Sequence, residues 1–400
     1  ESLYLSKYYP RLYVGGQFSR MGNFSYQGFA IIHLTEGLPT VTETPTQIIT
    51  STFTPIETAA ATVEPAVWPA CGKDVVLGYG FQENIDSIPD GNGGVYLVWQ
   101  DDRNGNLDIY CQHIDAAGNR LWADGGVALC SDLSNQYSPK ICSDSVGGAY
   151  VSWLDDRGGT STDIYVQKIN QLGNVEFGIN GLVVCSTTGY LGGFDHDIVL
   201  NGNNAIMIWN DGRGDGDIYA QQVQPGGSMQ WAANGISVCS ALGNQYNPKA
   251  VSYNGNGAVI VWEDSRNGNN DIYAQRIDGG GNGLWGADGM AVCSNTEIQT
   301  FPEVDVSGSG ASLFAWQDFR NGTNYKIYAQ SIDSAGNILW AADGVQVCND
   351  LTLHSEIYPK IAAATGNELC VSWQDSRGGA FDYIYAQKMD SFGNYKWGSG

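Results

Sequence analysis

The sequence has few basic residues. Lysine and arginine together number 19 against 42 aspartates and glutamates, which gives a formal net charge of −23 over 400 residues. A summed field of this sign repels nucleic-acid phosphates and anionic lipid surfaces. We therefore expect no nucleic-acid partner, and we interpret the acidity as the solubility charge of an exposed protein.

Long apolar stretches are also missing. No run of 18 or more apolar residues occurs, which predicts no direct insertion into a membrane. The first residues show no basic segment followed by an apolar one. We expect that any secretory signal has been removed or lies upstream.

Signatures of catalysis are absent too. The Asp box of sialidases, S-x-D-x-G-x-x-W, is not found, and the four histidines are scattered over different repeats: His33, His113, His196 and His354. His196 stands between two carboxylates in the segment Phe-Asp-His-Asp, without a nucleophile or a metal-ligand spacing nearby. We expect a surface or rim histidine there, no catalytic residues and no organic cofactor.

What the chain does have is a repeat. The pattern Trp-x-Asp-x-Arg returns six times, with steps of 54, 56, 53, 54 and 57 residues between the tryptophans. Its copies are Trp99/Asp101/Arg103, Trp153/Asp155/Arg157, Trp209/Asp211/Arg213, Trp262/Asp264/Arg266, Trp316/Asp318/Arg320 and Trp373/Asp375/Arg377. A fixed period of this length is typical of propeller blades.

One copy shows how a repeat is built. Segments 248–253, 258–264, 271–278 and 284–293 are short and rich in β-branched and aromatic residues, and Gly/Asn-rich turns separate them. No stretch has the period of an amphipathic helix. The sequence therefore predicts an all-β protein, a six-bladed β-propeller of four-stranded antiparallel blades.

Five of the nine cysteines recur at one repeat position: Cys130, Cys185, Cys239, Cys293 and Cys348. Equivalent positions in neighbouring blades are expected to exceed the ~7 Å Cα separation that a disulfide allows. No C-x-x-C pair occurs, which removes the usual zinc-ribbon and c-type haem interpretations. We expect buried thiols. A disulfide between Cys111 and Cys142 remains an open alternative.

The ends of the repeat region suggest domain boundaries. Segment 67–76 resembles the outer-strand segment 284–293 but precedes the first repeat, whereas the last repeat runs out at Gly400. We expect residues 68–400 to form a propeller closed by this N-terminal outer strand. The alternative is that the natural chain continues past Gly400. Residues 1–38 are interpreted as a β-hairpin, the tail of an upstream domain, and 39–67 as a Thr/Pro-rich extended linker.

The run 261–278, Val-Trp-Glu-Asp-Ser-Arg-Asn-Gly-Asn-Asn-Asp-Ile-Tyr-Ala-Gln-Arg-Ile-Asp, followed by Leu-Trp-Gly-Ala-Asp-Gly at 284–289, resembles repeats in large secreted or cell-surface proteins of bacteria. The resemblance covers about residues 68–400. Lys326 and Tyr383 depart from it where four copies have Asp, and Phe177 replaces the outer-strand Trp. It implies an extracellular β-propeller, often part of a multidomain chain, and carries no shared catalytic residues.

The repeated Asp and Arg favour a structural role, because six similar environments do not create one distinctive catalytic group. The segment 211–217 crowds Asp211, Asp215 and Asp217 into seven residues, and we keep these three as calcium candidates although the EF-hand pattern is absent.

We expect a non-catalytic scaffold or adhesion protein, extracellular or at the cell surface, whose partners are proteins, including copies of itself, or surface glycans. The alternatives are a carbohydrate-binding propeller lectin and a propeller glycoside hydrolase or lyase.

Overall fold

The computed structural model describes residues 72–78, 80–159, 161–186, 195–349, 354–379 and 381–398 with their side chains. It also describes the backbone of three short strands near the start of the chain: β1 (Leu3–Leu5), β2 (Arg11–Val14) and β3 (Ala30–His33). No helix in the described part of the chain is long and apolar enough to cross a membrane.

Six further sheets follow along the chain. The first holds β4 (Gln82–Pro89), β5 (Val95–Asp101), β6 (Asp108–Ile114) and β7 (Val127–Cys130); the second holds β8 (Gln136–Ser143), β9 (Ala149–Asp155), β10 (Asp163–Ile169) and β11 (Leu182–Cys185); the third holds β12 (His196–Asn201), β13 (Asn204–Asp211), β14 (Asp217–Val223) and β15 (Ile236–Cys239). The fourth holds β16 (Gln245–Ser252), β17 (Ala258–Asp264), β18 (Asp271–Ile277) and β19 (Met290–Cys293); the fifth holds β20 (Gln299–Val306), β21 (Ser312–Asp318), β22 (Lys326–Ile332) and β23 (Val345–Gln346); the sixth holds β24 (Glu356–Ala364), β25 (Glu368–Asp375) and β26 (Tyr383–Met389).

Each sheet is an antiparallel meander in chain order. The inner strands of consecutive sheets, β4, β8, β12, β16, β20 and β24, lie beside one another. Apolar side chains fill the spaces between neighbouring sheets; Ile208 and Cys239 of the third sheet, for example, pack in one cluster with Trp262 of the fourth. The second strand of a sheet is buried on both faces for this reason. The predicted six-bladed propeller is confirmed.

The outer strands are shorter than the sequence indicates. In the fourth sheet the strand begins at Met290, because the chain before it makes tight turns that end at Gly289. Gly289 has a φ of +76°, and a Cβ atom there would lie 2.5 Å from Cη2 of Trp262. The equivalent Gly126, Gly181, Gly235 and Gly344 face their own tryptophans in the same way.

The N-terminal hairpin is present as the pair β2–β3, with β1 added on the other side of β2. The sequence did not indicate β1. Strand β1 lies beside β24. The linker 39–67 lies outside the described residues, so the boundaries at 38 and 67 stay predictions.

The closing outer strand also stays a prediction. Residues 72–78 contain no strand, and the sixth sheet has three strands in the described part of the chain. Leu77 N donates to Asp124 O of the first sheet at 2.9 Å. In the sixth sheet, the chain after β26 reaches the place where an outer strand would begin. There Trp397 N donates to Gln387 Oε1 at 3.1 Å.

The eight cysteines within the described ranges are buried, as expected, and none of them forms a disulfide with another. Cys111 and Cys142 are among them, so the disulfide that the sequence left open between these two is not formed.

Two glycines test the contact between Trp262 and the turn. Gly268 has a φ of +99°, and a Cβ atom there would meet no neighbouring atom within 4 Å, whereas Gly289 combines a positive φ with the contact to Trp262. We expect Gly268→Ala to cost about 1 kcal/mol of backbone strain. Gly289→Ala should cost about 1–3 kcal/mol more from overpacking. Calorimetric Tm values of both variants check this; equal losses would contradict the packing argument.

Candidate functional site

Each Trp-x-Asp-x-Arg copy forms a set of contacts that we call the clasp. In the fourth sheet Trp262 Nε1 donates to Asp264 Oδ2 at 2.8 Å, while Arg266 donates to Asp264 Oδ1 from its backbone N at 3.0 Å and from Nε at 2.8 Å. The same three bonds recur in the other five copies, except that Arg377 Nε donates to Oδ2 of Asp375. All six aspartates are buried.

The arginine also ties the clasp to its surroundings. The guanidinium of Arg266 lies 3.9 Å above the ring of Tyr273 on the third strand, and its Nη2 donates to Sγ of Cys239, the last residue of the preceding outer strand, at 3.1 Å. Cation–π contacts and charge-assisted bonds of this kind hold neighbouring sheets together. Because both oxygens of each repeated aspartate accept hydrogen bonds within the clasp, we assign these carboxylates a structural role.

One cluster departs from the repeat. His354, Glu356 and Asp375 gather their side-chain ligand atoms within 4.8 Å, the one such group of three in the described residues. Lys326 Nζ lies 3.0 Å from Glu356 Oε1, and His354 Nε2 lies 3.3 Å from Asp375 Oδ1. Burial raises the pKa of Glu356, although Ile327 N and Lys326 favour the carboxylate. The lysine supplies the cation here, so we interpret the cluster as a buried ion network.

His196 is not the surface histidine that the sequence favoured. Its side chain is 1% exposed, and burial, with Lys140 and Lys249 nearby, lowers its pKa to about 3. The imidazole is therefore neutral at physiological pH. The apolar residues of the third inner strand draw His196 inward, which overrides the polarity of the two flanking aspartates.

The inner strands carry a ring of charges that the sequence pattern did not indicate. Six residues occupy the same register, each paired with the residue that precedes the repeat tryptophan: Asp86, Lys140, Asp197, Lys249, Glu303 and Lys360. Acid and base alternate around the sheets, and all six side chains are half-buried. We call this set the axial ring. The x-Pro-Lys tripeptides at 138–140, 247–249 and 358–360 were its only signal in the sequence.

The axial ring joins the sheets in pairs. Asp86 Oδ2 accepts from Ile141 N of the second sheet at 3.1 Å, and Asp197 Oδ2 accepts from Ala250 N of the fourth at 2.9 Å. Glu303 and Lys360 of the fifth and sixth sheets form an ion pair at 2.5 Å. Lys249 is desolvated, yet Glu303 and other nearby carboxylates raise its pKa overall. The ring neutralises itself and is a structural feature.

Two aromatic residues lie on neighbouring inner strands, each two positions before a residue of the axial ring, Glu303 or Lys360. Phe301 and Tyr358 have φ values of 52° and 54°, each is 45% exposed, and their rings meet edge-on at 5.2 Å. Phe301 N donates to Glu263 Oε1 and Tyr358 N to Gln317 Oε1, which fixes both bulges. We call this exposed pair the aromatic step.

The three calcium candidates do not converge as a trio. Asp211 is held in its clasp by Trp209 and Arg213. Asp215 is exposed, and Asp217 is buried at the start of β14, where burial and the charges of Asp211 and Asp215 raise its pKa.

An open cavity of about 540 Å³ lies beside the sixth sheet. Its lining is Val345, Gln346, Gly393, Asn394, Tyr395 and Gly398, which includes no carboxylate, histidine or lysine. It offers no acid–base pair for hydrolysis.

The ion network gives a prediction. Lys326→Met leaves Glu356 buried without its cation and should cost about 3–5 kcal/mol of stability. The double variant Lys326→Met/Glu356→Gln should recover most of that loss, because glutamine stands at the equivalent positions 136, 245 and 299. Denaturant unfolding of the three proteins checks this. A double variant no more stable than the single one would contradict the assigned pairing.

No protein-family model matches the chain, and no curated protein matches it in sequence. Among solved structures, the BP39L lectin from Burkholderia pseudomallei aligns with a TM-score of 0.52 at 12% identity, over 79% of this chain and 83% of its own. An ulvan lyase bound to a GlcA-Rha3S saccharide aligns with a TM-score of 0.45 at 10% identity, over 79% of this chain and 86% of its own. The endo-arabinase from Bacteroides thetaiotaomicron aligns with a TM-score of 0.34 at 12% identity, over 78% of this chain and 96% of its own. At these identities the lectin comparison supports the β-propeller fold and carries no activity over to this chain.

Proposed function

We propose that the protein is a non-catalytic extracellular scaffold that acts through protein–protein contacts, including contacts with copies of itself. The contacts are made by the loop face, defined as the end of the sheets that carries loops 102–107 and 131–135 and their equivalents in later repeats.

Two displayed leucines carry this proposal. Leu133 and Leu242 are 95% and 83% exposed, and each stands three residues after the repeat cysteine of its sheet. An exposed leucine in a mobile loop means little, but these loops are tied down. Asn106 Nδ2 donates to the carbonyls on both sides of Leu133, and Gln245 Nε2 donates to those on both sides of Leu242. We interpret these fixed, exposed side chains as contact points, because a partner could bury them without a cost of ordering the loops.

The pairing of the charged side chains supports the proposal of a non-catalytic protein. Six clasps use the repeated aspartates and arginines, and a lysine neutralises the histidine–carboxylate cluster. A general acid–base pair needs one distinctive environment. The clasps and the histidine–carboxylate cluster are paired in this way, and in the described part of the chain the buried His196 has neither a carboxylate nor a nucleophile bonded to its ring.

Self-association tests the scaffold proposal. We expect the wild-type protein to form concentration-dependent oligomers in sedimentation velocity, and Leu133→Asp/Leu242→Asp to weaken them at least tenfold, because two carboxylates would then face a partner surface. The Tm should not change, since both side chains are exposed. Leu172→Asp, at an exposed turn on the opposite end of the sheets, is the control and should associate like the wild type. A wild-type protein that stays monomeric, or an equal loss of association in Leu172→Asp, would contradict the proposal.

A second candidate function is carbohydrate binding. The aromatic step supports it, because two exposed rings fixed by bonds to the neighbouring sheets form a platform on which a sugar ring can stack. The positive φ values belong to the bulge of the repeat, since Asn84, Ser138 and Asn247 share them, so what distinguishes the fifth and sixth sheets is the aromatic side chains at this position.

Glycan binding tests this candidate. We expect the wild type to retain at least one neutral glycan on an array, and Phe301→Ala and Tyr358→Ala each to reduce that binding about tenfold or more. Phe81→Ala, which removes an exposed aromatic ring outside the aromatic step, serves as control. Binding that survives both alanine variants would place the glycan elsewhere; an array without any retained glycan would leave the scaffold as the better account.

A further inference from the structure

The sixth sheet is buried on both of its faces. Five apolar clusters fill the junctions between neighbouring sheets from the first sheet to the sixth. Ile361 and Val371 of the sixth sheet point towards the fifth, where they pack in one cluster with Leu313. Ala362 and Cys370 alternate with them along the strands, so they point the opposite way, yet they are only 4% and 5% exposed. An element other than the fifth sheet therefore covers this surface, which we call the far face.

Strand β1 lies along the far side of the sixth sheet. It is adjacent to β24, whose other side is occupied by β20. At the other junctions this position belongs to the next inner strand, as where β8 lies beside β4. Strands β1, β2 and β3 also follow one another as an antiparallel meander, which is how each repeat sheet begins. The N-terminal sheet is therefore placed and ordered like a neighbour of the sixth sheet.

The first sheet does not take this position. Ile85 of β4 is 54% exposed. The equivalent residue is buried in the other five sheets: Pro139, His196, Pro248, Pro302 and Pro359. Besides burial, Lys140 of the second sheet lowers the pKa of His196, so this position faces the preceding sheet. The exposure of Ile85 shows that the sixth sheet does not pack against β4 at this point.

The chain just before β4 lies where an outer strand would precede the first sheet. Leu77 N donates to Asp124 O at 2.9 Å, and Arg120 Nη1 donates to Asp74 O at 2.7 Å. These bonds hold segment 72–78 against the first sheet. In the repeats, too, each outer strand leads directly into the inner strand of the next sheet. The segment thus has the place of an outer strand, and the remaining question is which sheet it belongs to.

The sixth sheet reaches its outer position with its own residues. Gln387 accepts from Trp397 N and donates to Gly398 O, both at 3.1 Å. Gln275 of the fourth sheet makes the same two bonds where that sheet turns into its outer strand. Segment 72–78 is therefore left for a different sheet.

We propose that the N-terminal sheet docks on the far face of the sixth sheet, with segment 72–78 as its outer strand, and closes the ring between the sixth and first sheets. The occupant is this chain's own N-terminal part, because β1 lies beside β24 and segment 72–78 leads directly into β4. This closure differs from the one that the sequence predicts, in which the same segment completes the sixth sheet. It does not depend on the scaffold function proposed above.

Cys370 reports on this contact. Burial raises the pKa of its thiol to about 11, so the covered thiol should react slowly with a maleimide. In a variant that lacks residues 1–6, which include β1, Cys370 should be labelled roughly tenfold faster or more, as measured by mass spectrometry after native labelling. Cys293 lies in the cluster between the fourth and fifth sheets and is the internal control, so its labelling should not change. An equal rise at both cysteines would contradict a local contact.

Dilution and cleavage test which chain covers the far face. The protection of Cys370 in the wild type should not depend on protein concentration, because no second copy is needed. When a protease site is placed in the linker 39–67 and cut, the N-terminal fragment should co-elute with the rest of the chain in gel filtration. Protection that falls on dilution, a fragment that separates while Cys370 stays unlabelled, or equal labelling of Cys370 in the wild type and the shortened variant would overturn the proposal.

Discussion

The bond between the indole N–H and the buried aspartate of each clasp is the interaction on which the rest of the structure depends. Trp262 Nε1 and Arg266 together donate to both oxygens of Asp264, which is fully buried, so this carboxylate has hydrogen-bond partners without water. The indole then fixes where Gly289 can turn. The arginine fixes the third strand through Tyr273 and the preceding sheet through Cys239. Loss of one carboxylate would release contacts in two sheets at once.

The repeat made much of this architecture predictable. The spacing of the tryptophans and the turn residues within 247–293 indicated four strands per unit, and the structure has them at nearly those positions. The axial ring could not be predicted in the same way. Its members become equivalent only through strand register, because the bulge between Tyr246 and Lys249 is absent in the third sheet, where Asp197 pairs without a shift. The burial of His196 was missed because its flanking aspartates suggested a solvated segment.

Departures from the repeat identify the places where one sheet differs chemically from its neighbours. Lys326 and Glu356 depart from the repeat together: where three other junctions have a neutral glutamine and an aspartate, this one has an ion pair at 3.0 Å. A glutamate without the lysine would be a buried, uncompensated charge. Asp215 is a change of another kind, since a carboxylate stands there where Asn106, Ser161 and Asn269 each donate to the aspartate two residues later.

The axial ring and the loop face have different roles. The axial ring joins the inner strands, whereas the loop face exposes side chains to solvent. Within the sheets, alternating charges and bonds such as that from Ile141 N to Asp86 join neighbouring inner strands, which restricts how far neighbouring sheets can shift. At the loop face, hydrogen bonds to the backbone on both sides hold Leu133 exposed to water. In the proposed scaffold, burial of this side chain against a partner would recover its transfer free energy without a further cost of ordering the loop. If the protein is the scaffold proposed above, it would bind with a preformed surface, and its affinity would depend on the few exposed side chains of the loop face rather than on the repeat itself.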